Sequence, residues 1–280
     1  DETPRDFSLP AEILAPEFGF SQLAALDADA DGDLDLLGAT LAREVLLLEG
    51  LGNSRLLPAR ALSAWGGVAR ILSDGDGLVG VDPTEGRIVF SAGDLEAPIE
   101  RTSSCATSGD AYLGRRAAAA RVVFTRRGDD ICIAELSAEG RDALLPVGNV
   151  RQWTAADLNG DGLTDLVVTR TTEDAFIAQV LLALDEGAFA PRLERPFAPG
   201  VPFQTRLVPY QRDADAGHEL VVSTDPIRIL DWSPREASGL RLVPAGEAGI
   251  DGEGLRVADA DGDGRDDLLS VDGTSLLIAR

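Results

Sequence analysis

The stretch from Asp27 to Leu36 reads DADADGDLDL and decides how the rest of this chain is interpreted. It returns as DLNGDGLTDL from Asp157 to Leu166 and as DADGDGRDDL from Asp259 to Leu268. The three copies share the pattern D-x-[DN]-x-D-G-x-x-D-L, with a short apolar approach before it and an apolar run after it. Such a repeated acidic turn between apolar segments indicates a loop that joins two β-strands and binds a cation.

Calcium is the cation that this pattern suits, because it is hard and binds roughly six to eight oxygens. We predict side-chain ligands at positions 1, 3, 5 and 9 of each loop and a backbone carbonyl ligand at position 7. The glycine at position 6, Gly32 in the first copy, is expected to adopt the positive φ of a tight turn. About three calcium ions are therefore expected. The predicted ligands are Asp27, Asp29, Asp31, Asp33 and Asp35 in loop 27–35; Asp157, Asn159, Asp161, Leu163 and Asp165 in loop 157–165; and Asp259, Asp261, Asp263, Arg265 and Asp267 in loop 259–267.

Two other kinds of acidic loop fit this sequence less well. A single acidic turn is often only a solvated turn, but three copies that all keep the acid at position 9 favour a metal site. An EF-hand needs a glutamate at position 12 between two helices. Position 12 is Gly38, Val168 and Ser270 in the three copies, inside an apolar run, so the EF-hand is excluded.

The spacing of the loops predicts a repeat architecture. The intervals between them are too long for one repeat but fit units of roughly 40–50 residues, the length of a propeller blade. Decayed copies occupy residues 67–81, which keep Asp74 and Asp76, residues 114–125, and residues 207–223, which keep Asp213, Asp215 and Glu219. Six units are thus predicted, starting near residues 21, 68, 112, 151, 205 and 254.

Each unit is predicted to contain four short strands. In the first unit these are Gln22–Leu26, Leu34–Thr40, Glu44–Glu49 and Leu56–Leu62, separated by glycine, proline and acidic residues. No segment has sustained helical periodicity. We therefore predict an all-β fold in which residues 1–280 form a single β-propeller of about six four-stranded blades, seven being also compatible with the spacing. The last unit lacks a fourth strand, and residues 5–14 are predicted to supply it and close the ring, which removes exposed sheet edges.

These loops resemble the FG-GAP/VCBS repeats of integrin α-chain-type β-propellers. The motif covers the three acidic loops, and the decayed copies extend the resemblance over essentially the whole chain. The resemblance implies a propeller in which calcium is held between the first and second strands of a blade. It also implies an extracellular, cell-surface or periplasmic location.

Composition excludes several classes of function. The formal net charge of −23 argues against nucleic acid and against an anionic membrane surface, since both need a basic patch. No run of about 18 uncharged apolar residues occurs, so no transmembrane segment is expected. The two cysteines, Cys105 and Cys132, are compatible either with one disulfide or with two small buried residues.

Catalytic patterns are largely missing, which favours a binding protein over an enzyme. The chain has no lysine, a single histidine (His218) and no G-x-S-x-G elbow, so the common nucleophilic and phosphate-binding sites are not formed. We expect a calcium-stabilised binding or adhesion scaffold that recognises a protein or glycan on the face opposite the calcium loops, alone or as part of a larger secreted protein. The alternative is a lectin or polysaccharide-active enzyme, in which Trp65, Trp153 or Trp232 stacks on sugar rather than filling the core.

Overall fold

The protein is known from a computed structural model. It describes residues 19–51, 55–73, 77–91, 93–117, 120–171, 176–185, 187–190, 193–197, 207–212, 216–222, 228–232, 240–244, 256–258, 265–272 and 275–279. Several predicted features lie outside these ranges: the closing segment 5–14, Asp74, Asp76, Asp213, Asp215, and the ligands Asp259, Asp261 and Asp263.

The chain divides into two compact units, Asp1–Ser108 and Gly109–Arg280. In both units the strands form antiparallel sheets in which strands adjacent in sequence are hydrogen-bonded neighbours. The described residues of the first unit form two four-stranded sheets. Their strands are β1 (Phe20–Leu26), β2 (Asp35–Thr40), β3 (Val45–Leu48) and β4 (Arg60–Ala61), then β5 (Arg70–Ser73), β6 (Leu78–Asp82), β7 (Arg87–Ser91) and β8 (Ile99–Thr102).

The described residues of the second unit form three four-stranded sheets and one three-stranded sheet. The third sheet contains β9 (Ala111–Arg116), β10 (Ala120–Arg127), β11 (Asp130–Glu135) and β12 (Asp142–Leu145). The fourth contains β13 (Gln152–Ala156), β14 (Asp165–Thr171), β15 (Phe176–Leu181) and β16 (Leu193–Phe197). The fifth contains β17 (Leu207–Tyr210), β18 (Glu219–Val222), β19 (Arg228–Trp232) and β20 (Leu240–Pro244), and the sixth contains β21 (Arg256–Ala258), β22 (Asp267–Asp272) and β23 (Ser275–Ala279).

The predicted all-β fold is therefore confirmed, and the sheets begin near the predicted starts of the repeat units. The number of blades, the closure of a ring and the single domain stay predictions. A short 3-10 helix occurs at Ser63–Trp65. Among the residues that the structure describes, no helix is long and apolar enough to cross a membrane.

Central strands form because their residues are apolar on both faces. Every residue of β3 (sequence VLLL) is buried, and so is every residue of β18 (sequence ELVV). A strand that is covered on both faces by neighbouring sheets needs no polar alternation. The fourth strand of the first sheet is shorter than the predicted Leu56–Leu62, because Pro58 has no N–H to donate to a ladder and leaves only an isolated bridge between Leu56 and Gly50.

The hydrophobic cores lie between successive sheets within each unit. In the first unit, Leu37 and Leu47 of the first sheet pack with Ile71 and Leu78 of the second. In the second unit, one cluster joins the third and fourth sheets and another joins the fourth and fifth. The first strands of successive sheets contact one another in both units: β1 with β5, β9 with β13, β13 with β17, and β17 with β21.

Two alternatives that the sequence left open are resolved by burial and bonding. Cys105 and Cys132 are both disulfide-bonded, so neither is a free thiol. Trp65 is fully buried and Trp153 is 3% exposed, and both belong to hydrophobic clusters. Trp232 is only partly buried. The core interpretation is therefore correct for Trp65 and Trp153, and Trp232 is the tryptophan that reaches the surface.

A buried ion pair holds the turn between β6 and β7 in the second sheet. The Asp82 side chain is fully buried, and it accepts hydrogen bonds from Arg87 Nε at 3.0 Å and from the N–H groups of Thr84 and Glu85. Burial alone would raise the pKa of Asp82, but the hydrogen bonds from Arg87, Glu85 and Thr84 outweigh it and leave the pKa below its ordinary value of 3.8. This carboxylate therefore stabilises the folded state in its charged form.

We predict that Asp82→Asn lowers the free energy of unfolding by about 2 kcal/mol at neutral pH, because a charged hydrogen-bond acceptor is lost in a buried site. Since the folded-state pKa is depressed, the wild-type advantage is fully present well above the unfolded-state pKa of about 3.9 and is lost as the pH falls through the folded-state pKa. Urea unfolding followed by circular dichroism measures both effects. The control is Glu96→Gln, which removes an exposed partner of Arg60 and should cost less than about 1 kcal/mol. Equal losses in the two variants would contradict the assigned role of Asp82.

Candidate metal centre

The acid at position 9 anchors each loop to its sheet. It pairs directly with the last residue of the first strand in four sheets: Leu26 with Asp35, Ala156 with Asp165, Tyr210 with Glu219, and Ala258 with Asp267. All four acids are buried, with exposures of 1%, 0%, 4% and 5%. This register places one buried carboxylate at the base of every such loop.

Both oxygens of the position-9 carboxylate accept backbone hydrogen bonds. Asp35 Oδ2 accepts from Ala28 N, and Oδ1 accepts from Gly50 N just beyond β3, each at 2.6 Å. Asp165 repeats this pattern, with Leu158 N at 3.0 Å and Ala183 N at 2.7 Å. The carboxylate therefore joins the start of the loop to the exit of the third strand, which the sequence pattern did not reveal.

Glu219 keeps part of this arrangement in the decayed fifth unit. Its carboxylate accepts a hydrogen bond from Arg212 N, at position 2 of that loop, at 3.0 Å. Position 1 of the same loop is Gln211 rather than an aspartate. The fifth loop therefore retains a position-9 anchor without an aspartate at position 1.

The aspartate at position 1 organises the turn itself. Asp27 accepts hydrogen bonds from Asp31 N at 3.1 Å and from Gly32 N at 3.0 Å. Asp157 accepts from Asp161 N at 3.2 Å and from Gly162 N at 2.7 Å. The position-6 glycines, Gly32 and Gly162, have φ values of 94° and 82°, which confirms the predicted positive φ.

Loop 27–35 brings three predicted ligands to one point. One carboxylate oxygen from each of Asp27, Asp29 and Asp35 lies within 4.8 Å of the other two. Two oxygens bound to one calcium ion at about 2.3–2.6 Å can be up to about 5 Å apart, so the three fit a single ion. Asp31 is not part of this group; its Oδ1 accepts from Asp33 N at 2.8 Å.

The other two loops are related to this site but differ from it. In loop 157–165 the corresponding trio includes Asn159, whose amide oxygen accepts from Asp161 N at 3.1 Å, so three carboxylates do not converge. Leu163, the predicted carbonyl ligand, is buried. In loop 259–267 the structure describes the exposed Arg265 and the buried Asp267, and the remaining predicted ligands lie outside the described residues.

Electrostatics in these loops favours a bound cation. Partial desolvation raises the pKa of Asp29, a backbone hydrogen bond from Asp31 N opposes the rise, and the charges of Asp31, Asp35 and Asp27 add to it. Burial raises the pKa of Asp165 to about 7, against the hydrogen bonds from Ala183 and Leu158, and the neighbouring Asp161 and Asp157 charges contribute further. A cation would relieve the repulsion and the desolvation together.

The residue at position 8 has a role that the motif did not predict. Thr164 donates its N–H to Arg115 O at 2.9 Å, and its Oγ1 accepts from Arg115 N at 2.8 Å. Arg115 belongs to β9 of the third sheet, so this residue connects neighbouring sheets. In loop 27–35, position 8 is Leu34, which is 68% exposed. The signal in the sequence was a polar residue directly before the ninth-position acid.

A cavity of about 150 Å³ lies between the loops of the fourth and fifth sheets. The indole of Trp232 lines it together with carboxylate, imidazole and amide side chains, and glycines form part of its wall. The lining residues are Leu158, Asn159, Gly160, Ala216, Gly217, His218, Glu219, Asp231 and Trp232. The cavity is therefore on the same side of these sheets as the calcium-type loops.

Comparison with known proteins identifies the fold alone. No family profile matches this sequence, and no curated protein matches it either. A crystal structure of BBS1N in complex with ARL6DN is similar, with a TM-score of 0.51 at 14% identity over 78% of this chain and 67% of that chain. The Nup133 β-propeller domain of Vanderwaltozyma polyspora gives a TM-score of 0.45 at 9% identity over 84% of this chain and 76% of that chain. With the four-stranded antiparallel sheets, the likeness to BBS1N supports a β-propeller-like fold.

We predict that Asp35→Ala destabilises the protein even when a chelator is present. The substitution leaves the partly buried N–H of Ala28 and the buried N–H of Gly50 without their acceptor, which should cost about 3 kcal/mol of unfolding free energy. Asp29→Ala is the matched control, because Asp29 is exposed and accepts only one weaker hydrogen bond, from Asp31 N at 3.2 Å. Urea unfolding in EGTA should separate the two variants. A similar stability for both would show that the position-9 acid is a ligand only.

Proposed function

We propose that this protein is a calcium-stabilised β-propeller of the FG-GAP/VCBS type that acts as a binding scaffold. The observation that carries the proposal is the convergence of Asp27, Asp29 and Asp35, whose oxygens lie within 4.8 Å of one another. Carboxylates so close together repel one another unless a cation lies between them. Oxygen-only ligands in a flexible loop suit calcium better than transition metals.

The second loop supports the same proposal through its hydrogen bonds. Asp157 and Asp165 reproduce the backbone contacts of Asp27 and Asp35, so both loops have one architecture. Asn159 replaces a carboxylate by an amide oxygen, which remains a calcium ligand. We propose that loops 27–35, 157–165 and 259–267 each bind one ion, with backbone carbonyls of Asp33, Leu163 and Arg265 as further ligands.

We further propose that the protein works outside the cytoplasm, at the cell surface, in the extracellular medium or in the periplasm. Disulfides persist in oxidising compartments, and Cys105 and Cys132 are disulfide-bonded. Extracellular calcium modules bind with dissociation constants of about 10⁻⁴–10⁻³ M, which suits loops whose ligands are largely exposed. The net charge of −23 suits a medium rich in cations.

The partner is proposed to bind at the ends of the sheets opposite the calcium loops. In the first unit these ends carry the turn after β2, where Leu41 is 77% exposed, and the turn held by Asp82. In the second unit they carry the tight turn at Gly128 and Asp129, fixed by Gly148 N, which donates to Asp129 O at 2.9 Å. Rigid sheets that present exposed turns are a common basis for recognition of a protein or glycan.

The number of blades and the closure of the ring are part of the same proposal. We propose six blades, with residues 5–14 as the fourth strand of the last one. A crystal structure grown in calcium would count the blades and the bound ions directly. A different blade count would refute this part and leave the calcium sites standing.

We predict that calcium raises the melting temperature of the wild-type protein and that EGTA reverses the rise. An ion that binds only the folded state adds about 2.7 kcal/mol when its concentration is 100 times the dissociation constant. Asp29→Ala should reduce the calcium-dependent rise, because it removes one of three converging oxygens. Asp185→Ala, an exposed aspartate outside the loops, is the control and should respond like the wild type. A melting temperature that calcium leaves unchanged would overturn the calcium sites.

A second candidate function, carbohydrate binding or processing, is favoured by one observation. Trp232 lines the cavity of about 150 Å³ together with Asp231 and Asn159. An aromatic ring beside planar hydrogen-bonding groups is suited to a sugar ring, whose apolar face stacks while its hydroxyls are bound. The cavity is on the calcium-loop side, so this function would use the opposite side from the scaffold proposed above.

We predict for this second candidate that a glycan array in calcium gives specific binding that Trp232→Ala abolishes. Trp232 is partly exposed, so its loss should leave the melting temperature within a few degrees of the wild type. Trp153→Phe, a buried tryptophan away from the cavity, is the control and should keep any glycan binding. No bound glycan, or binding unaffected by Trp232→Ala, would eliminate the lectin alternative.

A further inference from the structure

Loop 157–165 is held from both sides by neighbouring sheets of the second unit. On one side, Thr164 exchanges two hydrogen bonds with Arg115 of the third sheet, at 2.9 and 2.8 Å. Thr164 is 7% exposed, and a Cβ added at Gly114 would lie 2.5 Å from its Oγ1. The side chains of Thr164 and Phe124 therefore leave no room for a side chain at Gly114.

On the other side, the fifth sheet holds the beginning of the same loop. His218 N donates to Asp157 O at 2.7 Å, and the His218 ring nitrogen Nδ1 lies 3.2 Å from the same oxygen. A Cβ at Gly217 would lie 2.6 Å from Leu158 O, so this contact is as close as the first. The Asp157 carbonyl thus accepts a hydrogen bond from His218, and the Asp157 side chain is the predicted calcium ligand at position 1 of the loop.

The contact recurs between the fifth and sixth sheets, so three successive pairs of sheets in the second unit share it. Asp266 N donates to Gln211 O at 2.9 Å, and Gln211 N donates to Asp266 Oδ2 at 2.7 Å. Thr164, His218 and Asp266 all occupy position 8 of their loops, and each donates its N–H to the preceding sheet. We call this contact the position-8 clasp.

We propose that calcium in loop 157–165 acts across the sheets, stiffening the packing of the fourth sheet against both the third and the fifth through the position-8 clasps. Thr164 directly precedes the ligand Asp165, so drawing that carboxylate towards an ion also restrains the N–H that is bonded to Arg115. Drawing in Asp157 restrains the carbonyl that His218 holds. The inference rests on the proposed calcium function, and it adds that the ion's effect extends beyond its own loop.

Amide hydrogen exchange with and without calcium tests this directly on the wild-type protein. The N–H groups of Thr164 and His218 should exchange at least about tenfold more slowly in calcium, because the ion would suppress local opening of the position-8 clasps. The loop's own N–H groups, those of Asp161 and Gly162, should also slow. Protection of Asp161 and Gly162 without protection of Thr164 and His218 would overturn the inference while leaving the calcium site intact.

Two matched threonine variants identify the path of the effect. Thr164→Val keeps the shape of the side chain and removes the Oγ1 acceptor. In this variant calcium should protect the backbone N–H of position 164 less than in the wild type, and it should still protect the N–H of His218. Thr169→Val changes a fully buried threonine of β14, the strand that follows Thr164, whose Oγ1 bonds within the sheet to Gln152, and should leave both effects unchanged. If calcium slows exchange of the position-164 N–H equally in Thr164→Val and in the wild type, the hydroxyl has no role in the position-8 clasp.

The possible results distinguish calcium binding itself from the proposed coupling between sheets. If calcium slows none of these amides and leaves the melting temperature unchanged, the ion does not bind and both fail. If it raises the melting temperature and slows only Asp161 and Gly162, calcium binding stands and the inter-sheet coupling fails. If Thr164→Val does not fold, the wild-type exchange pattern still decides, because it requires no substitution.

Discussion

The structure around each acidic loop depends on one buried carboxylate at position 9. Asp35 and Asp165 each accept two backbone N–H groups, one from the start of the loop and one from just beyond the third strand. Four N–H groups that have no strand partner are satisfied in this way by two side chains. A buried N–H without an acceptor is costly, and a carboxylate supplies both of the acceptor oxygens that this position uses. Glu219 meets the same requirement in a loop that has lost its first aspartate.

The position-9 carboxylate has this anchoring role and is also a proposed calcium ligand. A buried carboxylate surrounded by other acids resists ionisation, and the pKa of Asp165 is accordingly about 7, with burial as the main cause. The backbone N–H groups offset part of that penalty, and a cation would offset more. The exposed Asp29 experiences the same repulsion from its neighbours. The loops are therefore stable turns that a cation would stabilise further, which explains how the fifth unit can keep its strands with an altered loop.

The sheets rely on contacts that do not involve the loops. The central strands are apolar on both faces, and cores form between successive sheets of each unit. At the far end of the second sheet, the buried Asp82 and Arg87 pair fixes a turn by the same principle as the loop anchors, a carboxylate that receives several N–H donors. The apolar interior therefore packs the sheets together, and buried carboxylates fix the loops and turns at their ends. This arrangement is consistent with a scaffold.

Patterns in the sequence were enough to predict the all-β fold, strands that begin close to where the sheets begin, and the positive φ of the position-6 glycines Gly32 and Gly162. Each of these follows from a local pattern: apolar runs of strand length, acidic spacing, and the conformational freedom of glycine. The tertiary structure was needed to show which predicted ligands converge, since Asp27, Asp29 and Asp35 meet while Asp31 accepts a hydrogen bond from Asp33 N. It also decided that Gly50 and Ala183 complete the anchor and that Thr164 binds Arg115, because these partners lie far away in the chain. Contacts between distant segments depend on how sheets pack and on strand register, and a nine-residue motif contains neither.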